Sequence, residues 1–279
     1  MAIDLAVRYS ELVDEKFTRE SRKSLVTNTD YNFTGTHTIK VYTVGTSQMN
    51  DYKRNGTLAG SRYGEAKDLE APAYELTLKK DRSFTFVIDA LDIDETPGVL
   101  QAGKALERQL REIVIPEVDT YTYNVMCENA GQKPEAVTLT SENIYDEIIK
   151  AGTALDNAEV PETDRVLMVT PDIYQIMKKC KEITMDTNIG NDMRIKGVIS
   201  NLDGAAVIKV PASRLPENFG FMLCHRVATT APTKLADYRM HENPPGVNGF
   251  LVEGRICYDA FVLSNKAKAI YYQEQTAGV

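Results

Sequence analysis

The sequence predicts an α+β chain with an N-terminal arm, an extended β-hairpin, one unusually long helix and a mixed α/β domain. Three observations carry this. Residues 37–44 alternate, Ile39 and Val41 on one face and Tyr42 and Val44 on the other. The same period returns at Tyr74, Leu76 and Leu78, and again at Phe84, Phe86 and Ile88. Between these runs, 46–72 is polar and punctuated by Gly56, Gly60 and Gly64, a longer stretch than the loops of compact domains usually reach. Finally, Leu106, Leu110, Ile113, Val114, Val118, Tyr121 and Val125 recur at spacings of three and four.

The polar tip offers little apolar surface, so the hairpin is not expected to bury its apolar side within one subunit, and its packing partner is expected on another copy of the chain. The long helix is expected to share that need. Thr96 is suited to cap its first amides and Pro97 to occupy its first position, where no donor is lost. From 97 to about 129 it would span roughly 50 Å at about 1.5 Å per residue. Pro116 lies inside the stripe, removes one backbone bond and crowds the preceding turn, so a kink or a break into two helices is expected there.

Elsewhere the elements are shorter. Leu5, Tyr9, Leu12, Val13 and Phe17 give 3–17 helical spacing, and 18–35 is a polar arm that either folds back or lies along a neighbour. After a linker at 131–137, a helix is expected from Thr140 or Ser141 with Glu142 in its first turn and Ile144, Ile148, Ala151 and Leu155 inward. Residues 165–169 read as a strand. Thr170, Pro171 and Asp172 then supply a capping hydroxyl, a proline and an early acid, and the helix turns Ile173, Ile176, Met177 and Cys180 inward. A polar loop over 181–196 is followed by short strands at 197–199, 205–210, 219–224 and 226–229. The end reads as an antiparallel hairpin, 249–256 and 260–263, a turn at 264–266, then 269–272.

Composition narrows the function classes. With 279 residues and 43% hydrophobic content the chain can fold one large or two modest domains. No apolar run of about 18 residues reads as a membrane span, and 1–22 lacks the apolar centre of a secretory signal. A net charge of −8 argues against a general nucleic-acid binder, which needs cations to neutralise phosphates. Cys127, Cys180, Cys224 and Cys257 have no paired short spacing and apolar neighbours, so they are expected as small core hydrophobes.

Catalytic constellations are missing from the pattern. His37, His225 and His241, the last read as lying in a loop before Pro244 and Pro245, form no local metal motif. Asp89, Asp92, Asp94 and Glu95 could hold a divalent cation, but are better explained as acids near the positive end of the long helix. The tip charges Lys53, Arg54, Arg62, Lys67, Asp68 and Glu70 read either as a solvated loop or as contacts to a neighbouring subunit. Single rim ion pairs contribute only about 0–1 kcal/mol, so many copies must add up. No catalytic, cofactor or metal residue is assigned.

The order of parts, arm, hairpin, spine helix, mixed domain and closing strands, resembles the major capsid proteins of tailed bacteriophages, the Hong Kong 97 type. Two stretches resemble those of phages and prophages of Gram-positive bacteria: Val114-Ile115-Pro116-Glu117-Val118-Asp119-Thr120-Tyr121, and Gly254-Arg255-Ile256-Cys257-Tyr258-Asp259-Ala260-Phe261-Val262-Leu263 ahead of 266–272. The resemblance covers almost the whole chain. It implies an N-terminal arm (1–35), an E-loop hairpin (36–95), a peripheral domain with the spine (96–137; Leu106, Leu110, Pro116 and Tyr121 on it), an axial domain (138–243) and strands returning to the peripheral domain (244–279).

It also implies pentamers and hexamers tiling an icosahedral shell around double-stranded DNA, assembled in the bacterial host cytoplasm and found in the virion, without membrane or cofactor. Partners implied are other copies of the chain, a portal and a decoration protein. Because the chain starts at Met1 close to the arm, a separate scaffolding protein is expected. Some relatives join an E-loop lysine to an asparagine; Lys53 or Lys67 with Asn265 has no supporting motif, and no crosslink is expected. An encapsulin-like compartment shell is the alternative reading, and a soluble hydrolase a remote third.

Overall fold

In a computed structural model, which describes residues 21–28, 38–42, 47, 49–52, 54, 62–63, 68, 73–91, 102–185 and 201–276, the first alternating run forms β1 (Thr38–Tyr42). It pairs antiparallel with β2 (Ala73–Thr77), placing Ile39 opposite Leu76 and Val41 opposite Tyr74 on one face. Val41 and Leu76 are buried; on the other face Lys40 and Glu75 pair at 3.0 Å and the Thr38 and Thr77 hydroxyls meet at 2.9 Å. These two strands lie in a compact unit of their own, Phe33–Leu78, while Met1–Asn32 and Lys79–Val279 form the other. The expected helix over 3–17 and the spine start at Thr96 and Pro97 lie outside the described residues.

The third run, with Phe84, Phe86 and Ile88, belongs to the larger unit as β3 (Lys80–Asp89). The spine follows as α1 (Ala102–Gln109), a π-helical turn (Leu110–Val114) and α2 (Ile115–Glu128). At about 1.5 Å per residue this described part is roughly 40 Å long. Pro116 does not break it. The Ile115 amide bonds the Leu110 carbonyl, five residues back, and the widened turn admits a proline that brings no N–H. The inserted residue also rotates the stripe, leaving Ile113 exposed while Leu106, Leu110, Val114, Ile115 and Val118 are buried.

Those residues correct a second expectation, that the spine cannot cover its apolar face within one chain. They pack with Tyr238, Val252, Ile256 and Tyr258 on a three-stranded antiparallel sheet, β3-β10-β9, where β9 is Thr233–Glu242 and β10 is Gly249–Tyr258. His241, expected in a loop, lies on β9. Arg239, Met240, His241 and Glu242 are all exposed, so no alternation marks this end; pairing with β10 makes it a strand, and Tyr238 enters the core.

The larger core surrounds a five-stranded sheet, β12-β7-β4-β6-β5. The strands are β4 (Arg165–Val169), β5 (Asn201–Leu202), β6 (Ala205–Lys209), β7 (Phe219–His225) and β12 (Ile270–Glu274), with only β4 and β6 parallel. Two helices cover it, α3 (Ile144–Asn157) and α4 (Pro171–Lys179). Thr170 caps α4, its hydroxyl accepting from the Ile173 amide at 3.2 Å. α3 starts later than Thr140 or Ser141, because Asn143 folds back, accepting from the Thr140 amide and donating to the Thr138 carbonyl, both at 2.8 Å.

Three further readings change. The polar loop over 181–196 begins as a helix, α5 (Lys181–Met185), that buries Ile183; its remainder, and the strand expected at 197–199, lie outside the described residues. The strand expected at 226–229 is a 3₁₀ turn (Arg226–Ala228), held by His225 Nδ1 accepting from the Val227 amide, before the short β8 (Thr229–Thr230). The closing hairpin, expected to return as one piece, divides. β10 joins β3, β11 (Phe261–Val262) joins β8, and β12 joins β7, because Ile270, Tyr271 and Tyr272 fill the larger core.

Gly249 fixes where β10 starts. Its φ is +146°, and an added Cβ would lie 2.1 Å from the Ile88 carbonyl oxygen across the pair. Gly249→Ala is therefore expected to lower stability by about 1–3 kcal/mol from backbone strain alone, with further loss as Ile88 shifts; the denaturant midpoint reports it.

Candidate functional site

Two regions bear on function: the surface of the hairpin unit and the joint between the two cores of the larger unit. Of the tip charges, Arg54, Arg62 and Asp68 are exposed, and Lys53, Lys67 and Glu70 lie outside the described residues. Sequence reasoning passed over the apolar residues beside them. Met49 is 98% exposed and Tyr63 77%, and the Tyr52 and Tyr63 rings meet edge-on at 5.0 Å. Their one signal is aromatic residues in an otherwise polar tip.

The spine residues fall in three places. Leu106 and Leu110 are core, Pro116 is half-buried at the π turn, and Tyr121 reaches the joint. There the two stretches that carried the family resemblance meet. Glu117 accepts from the Tyr258 hydroxyl at 2.9 Å and from Arg82 at 2.8 Å, while the Tyr121 and Tyr258 rings lie 5.6 Å apart. Asp259 is buried at the same point. One of its oxygens accepts from the Tyr121 hydroxyl and the Ala260 amide, each at 2.8 Å, and the other from the Lys79 amide at 2.9 Å. Burial first, and then this bond to Asp259, push the Tyr121 phenol up to about 12.

Asp119, between Glu117 and Tyr121 on α2, is a second buried carboxylate, 0% exposed. It accepts from Ser21 Oγ at 2.6 Å, from the Arg22 amide at 3.4 Å and from Arg214 Nη1 at 3.0 Å. Burial raises its pKa, opposed by Ser21, Arg214, the Arg22 amide and Lys23. The arm over 21–28 thus folds back on its own subunit. Lys23, 7% exposed, donates to the Ala231 carbonyl at 3.1 Å and also to the Thr233 hydroxyl. Sequence reasoning missed Asp119, although an acid at helical spacing between Ile115 and Tyr123 was a signal.

Burial pulls the Lys23 ammonium down to about 8 from 10.5, outweighing the Asp119 charge. Between those values the folded chain holds fewer protons than the unfolded one, so stability rises with pH across that window. Below about pH 8 the full cost of a buried charge remains. The stability gap between the chain and Lys23→Met should therefore move in the chain's favour, by at most about 3 kcal/mol, between pH 7 and 10. Chemical unfolding of both at the two pH values checks it.

The other candidates settle into local roles. His225 caps the 3₁₀ turn and burial lowers its pKa; His241 lies on β9, in a strand and not a loop, 3.5 Å from Glu253 on β10; His37 lies outside the described residues. Asp89 accepts from the Leu91 amide at 2.9 Å, while Asp92, Asp94 and Glu95 are outside. All four cysteines are buried and none is in a disulfide, as expected for core hydrophobes, and burial pushes the Cys127 and Cys224 thiols up to about 12. Among the described residues no group of three or more His, Cys, Asp or Glu comes together, and no helix is long and apolar enough to cross a membrane.

No protein-family model matches the sequence, and no curated protein matches it. The fold does have solved likenesses. A structure from Mycobacterium phage Che8 aligns with a TM-score of 0.74 at 17% identity, over 90% of this chain and 89% of that one. The capsid structure of cyanophage P-SCSP1u aligns at 0.72 and 11% identity, over 92% and 88%. A virus-like particle from Pyrococcus furiosus aligns at 0.58 and 9% identity, over 97% and 99%. The fold is that of the phage major capsid proteins. It is the α+β arrangement of the Hong Kong 97 type, with the hairpin, spine and mixed α/β sheet in the order the sequence led us to expect.

Proposed function

We propose that this chain is a major capsid protein that assembles, as pentamers and hexamers, into an icosahedral shell enclosing double-stranded DNA. The observation that carries the reading is the likeness along nearly the full length of both chains to the capsid of cyanophage P-SCSP1u. The physics of the hairpin unit supports it. A two-stranded ribbon is at best marginally stable alone, and this one exposes Met49, Tyr52 and Tyr63. A neighbouring copy covers such a surface, and a contact of modest strength becomes a stable shell when symmetry repeats it.

In this reading the hairpin unit is the E-loop, with Lys53, Arg54, Arg62, Lys67, Asp68 and Glu70 at its contacts. α1 and α2 are the spine of a peripheral domain, and the five-stranded unit is most of an axial domain. A separate scaffolding protein, a portal and a decoration protein are its partners, the host cytoplasm its place of assembly and the virion its destination. The chain performs no catalysis. Size-exclusion chromatography followed by negative-stain electron microscopy tests the proposal: closed shells are expected, and a species that stays monomeric at high concentration with scaffold supplied overturns it.

A second reading, an encapsulin-like compartment shell that holds protein cargo, has the weaker support of the likeness to the Pyrococcus furiosus virus-like particle. Co-expression with neighbouring gene products separates the two. Particles carrying nuclease-protected DNA support the capsid, and particles carrying a protein cargo support the compartment.

A further inference from the structure

Residues 21–28 are attached by side chains to both halves of the larger unit. Towards the spine, Ser21 and the Arg22 amide bond Asp119. Towards the five-stranded core, the Arg22 guanidinium donates to the Lys209 carbonyl at the end of β6, Arg226 donates to the Ser24 carbonyl at 2.8 Å, and Val26 is fully buried. Lys23 and Asn28 hold the link through β8 into β9, Asn28 donating from its amide to the Thr229 carbonyl at 2.9 Å and accepting from the Thr230 hydroxyl at 2.6 Å. Besides this segment the two cores are joined by α2, by the β8–β9 link and by the β10–β11 link.

The segment forms one 3₁₀ turn (Lys23–Leu25) and a single bridge, from Asn28 to Thr230. No ladder of strand bonds holds it, so it can leave without unfolding a sheet. Seating it buries two opposite charges, Asp119 and Lys23, and releasing it returns both to water. That recovered hydration opposes what its hydrogen bonds contribute and lowers the cost of release.

We infer that residues 21–28 are a releasable latch across the joint, with Asp119 as its keeper: seated, it sets the angle between the spine and the five-stranded core, and released, it lets one pivot on the other. This stands apart from the proposed shell, because it concerns a single chain.

The test uses the full chain with spin labels at Ile113→Cys on the spine and Ile149→Cys on α3. Both positions are exposed, and the four native cysteines are buried. In Asp119→Asn, exchange of the Val26, Thr27 and Asn28 amides should rise by about tenfold or more, as for loss of one hydrogen bond to a charged group. The β4 and β7 amides should keep their protection, and the interspin distance distribution should broaden. Ser21→Ala, which leaves the charges in place, should give a smaller effect in the same direction and carries the test if Asp119→Asn does not fold. Unchanged exchange at 26–28, an equal rise throughout β4 and β7, or release with an unchanged distance distribution each overturn the inference.

Discussion

Asp259→Ala is expected to destabilise the larger unit by about 2–4 kcal/mol, because it takes the acceptor from three donors at once. The carboxylate satisfies three donors, the Tyr121 hydroxyl and the Ala260 and Lys79 amides. Alanine leaves all three without their acceptor, the Ala260 amide in a buried bond and the Tyr121 and Lys79 donors in part-buried ones; a buried orphan costs about 1–3 kcal/mol, less where water reaches it. The Asp259 amide also bonds the Pro232 carbonyl at 3.2 Å, so the residue ties together both links between the cores. Asp259→Asn should cost less, since one oxygen remains and only one position turns from acceptor to donor.

Tyr121→Phe is the control that removes a single bond, at about 1 kcal/mol. Urea unfolding of the three variants orders these losses, and equal losses for Asp259→Ala and Tyr121→Phe would contradict the account. Tyrosine titration gives an independent reading. In Asp259→Asn the Tyr121 phenol should fall from about 12 yet stay above 10, because burial, the larger cause, persists.

What the sequence made legible follows the range of the forces involved. Local signals sufficed for the alternating runs of β1 and β3, for the Thr170 cap three residues before the amide it accepts from, and for the stripe from Leu106 to Val118. Local reasoning failed where the outcome depended on distant chain. Pro116 announces a disturbed helix, but that a π turn absorbs it depends on the three-stranded sheet that holds both sides of the turn. β9 shows no buried alternation over 239–242 to betray it and becomes a strand because β10 lies beside it. β12 continues a hairpin pattern in sequence, yet three aromatic and aliphatic side chains take it into the other core. The buried acids were equally hidden. Asp119 and Asp259 read as surface residues of polar type, and their donors come from up to 180 positions away.

The proposed shell rests on one physical claim, that the apolar surface of the hairpin unit is covered by another copy of the chain. Met49, Tyr52 and Tyr63 are the exposed apolar groups, and removing residues 49–70 with a short turn in their place takes them and the tip charges away together. β1 and β2 lie outside this segment, as do both cores, so the larger unit should keep its unfolding midpoint. Assembly should not survive. A contact repeated at every subunit multiplies its loss through the shell, so even about 1–2 kcal/mol per copy separates closed particles from free subunits. The decisive measurement is analytical ultracentrifugation of the full and trimmed chains side by side, with scaffold supplied. The account predicts fast-sedimenting particles from the first and only free subunits or small capsomers from the second; particles of equal yield and equal resistance to denaturant from the trimmed chain would contradict it.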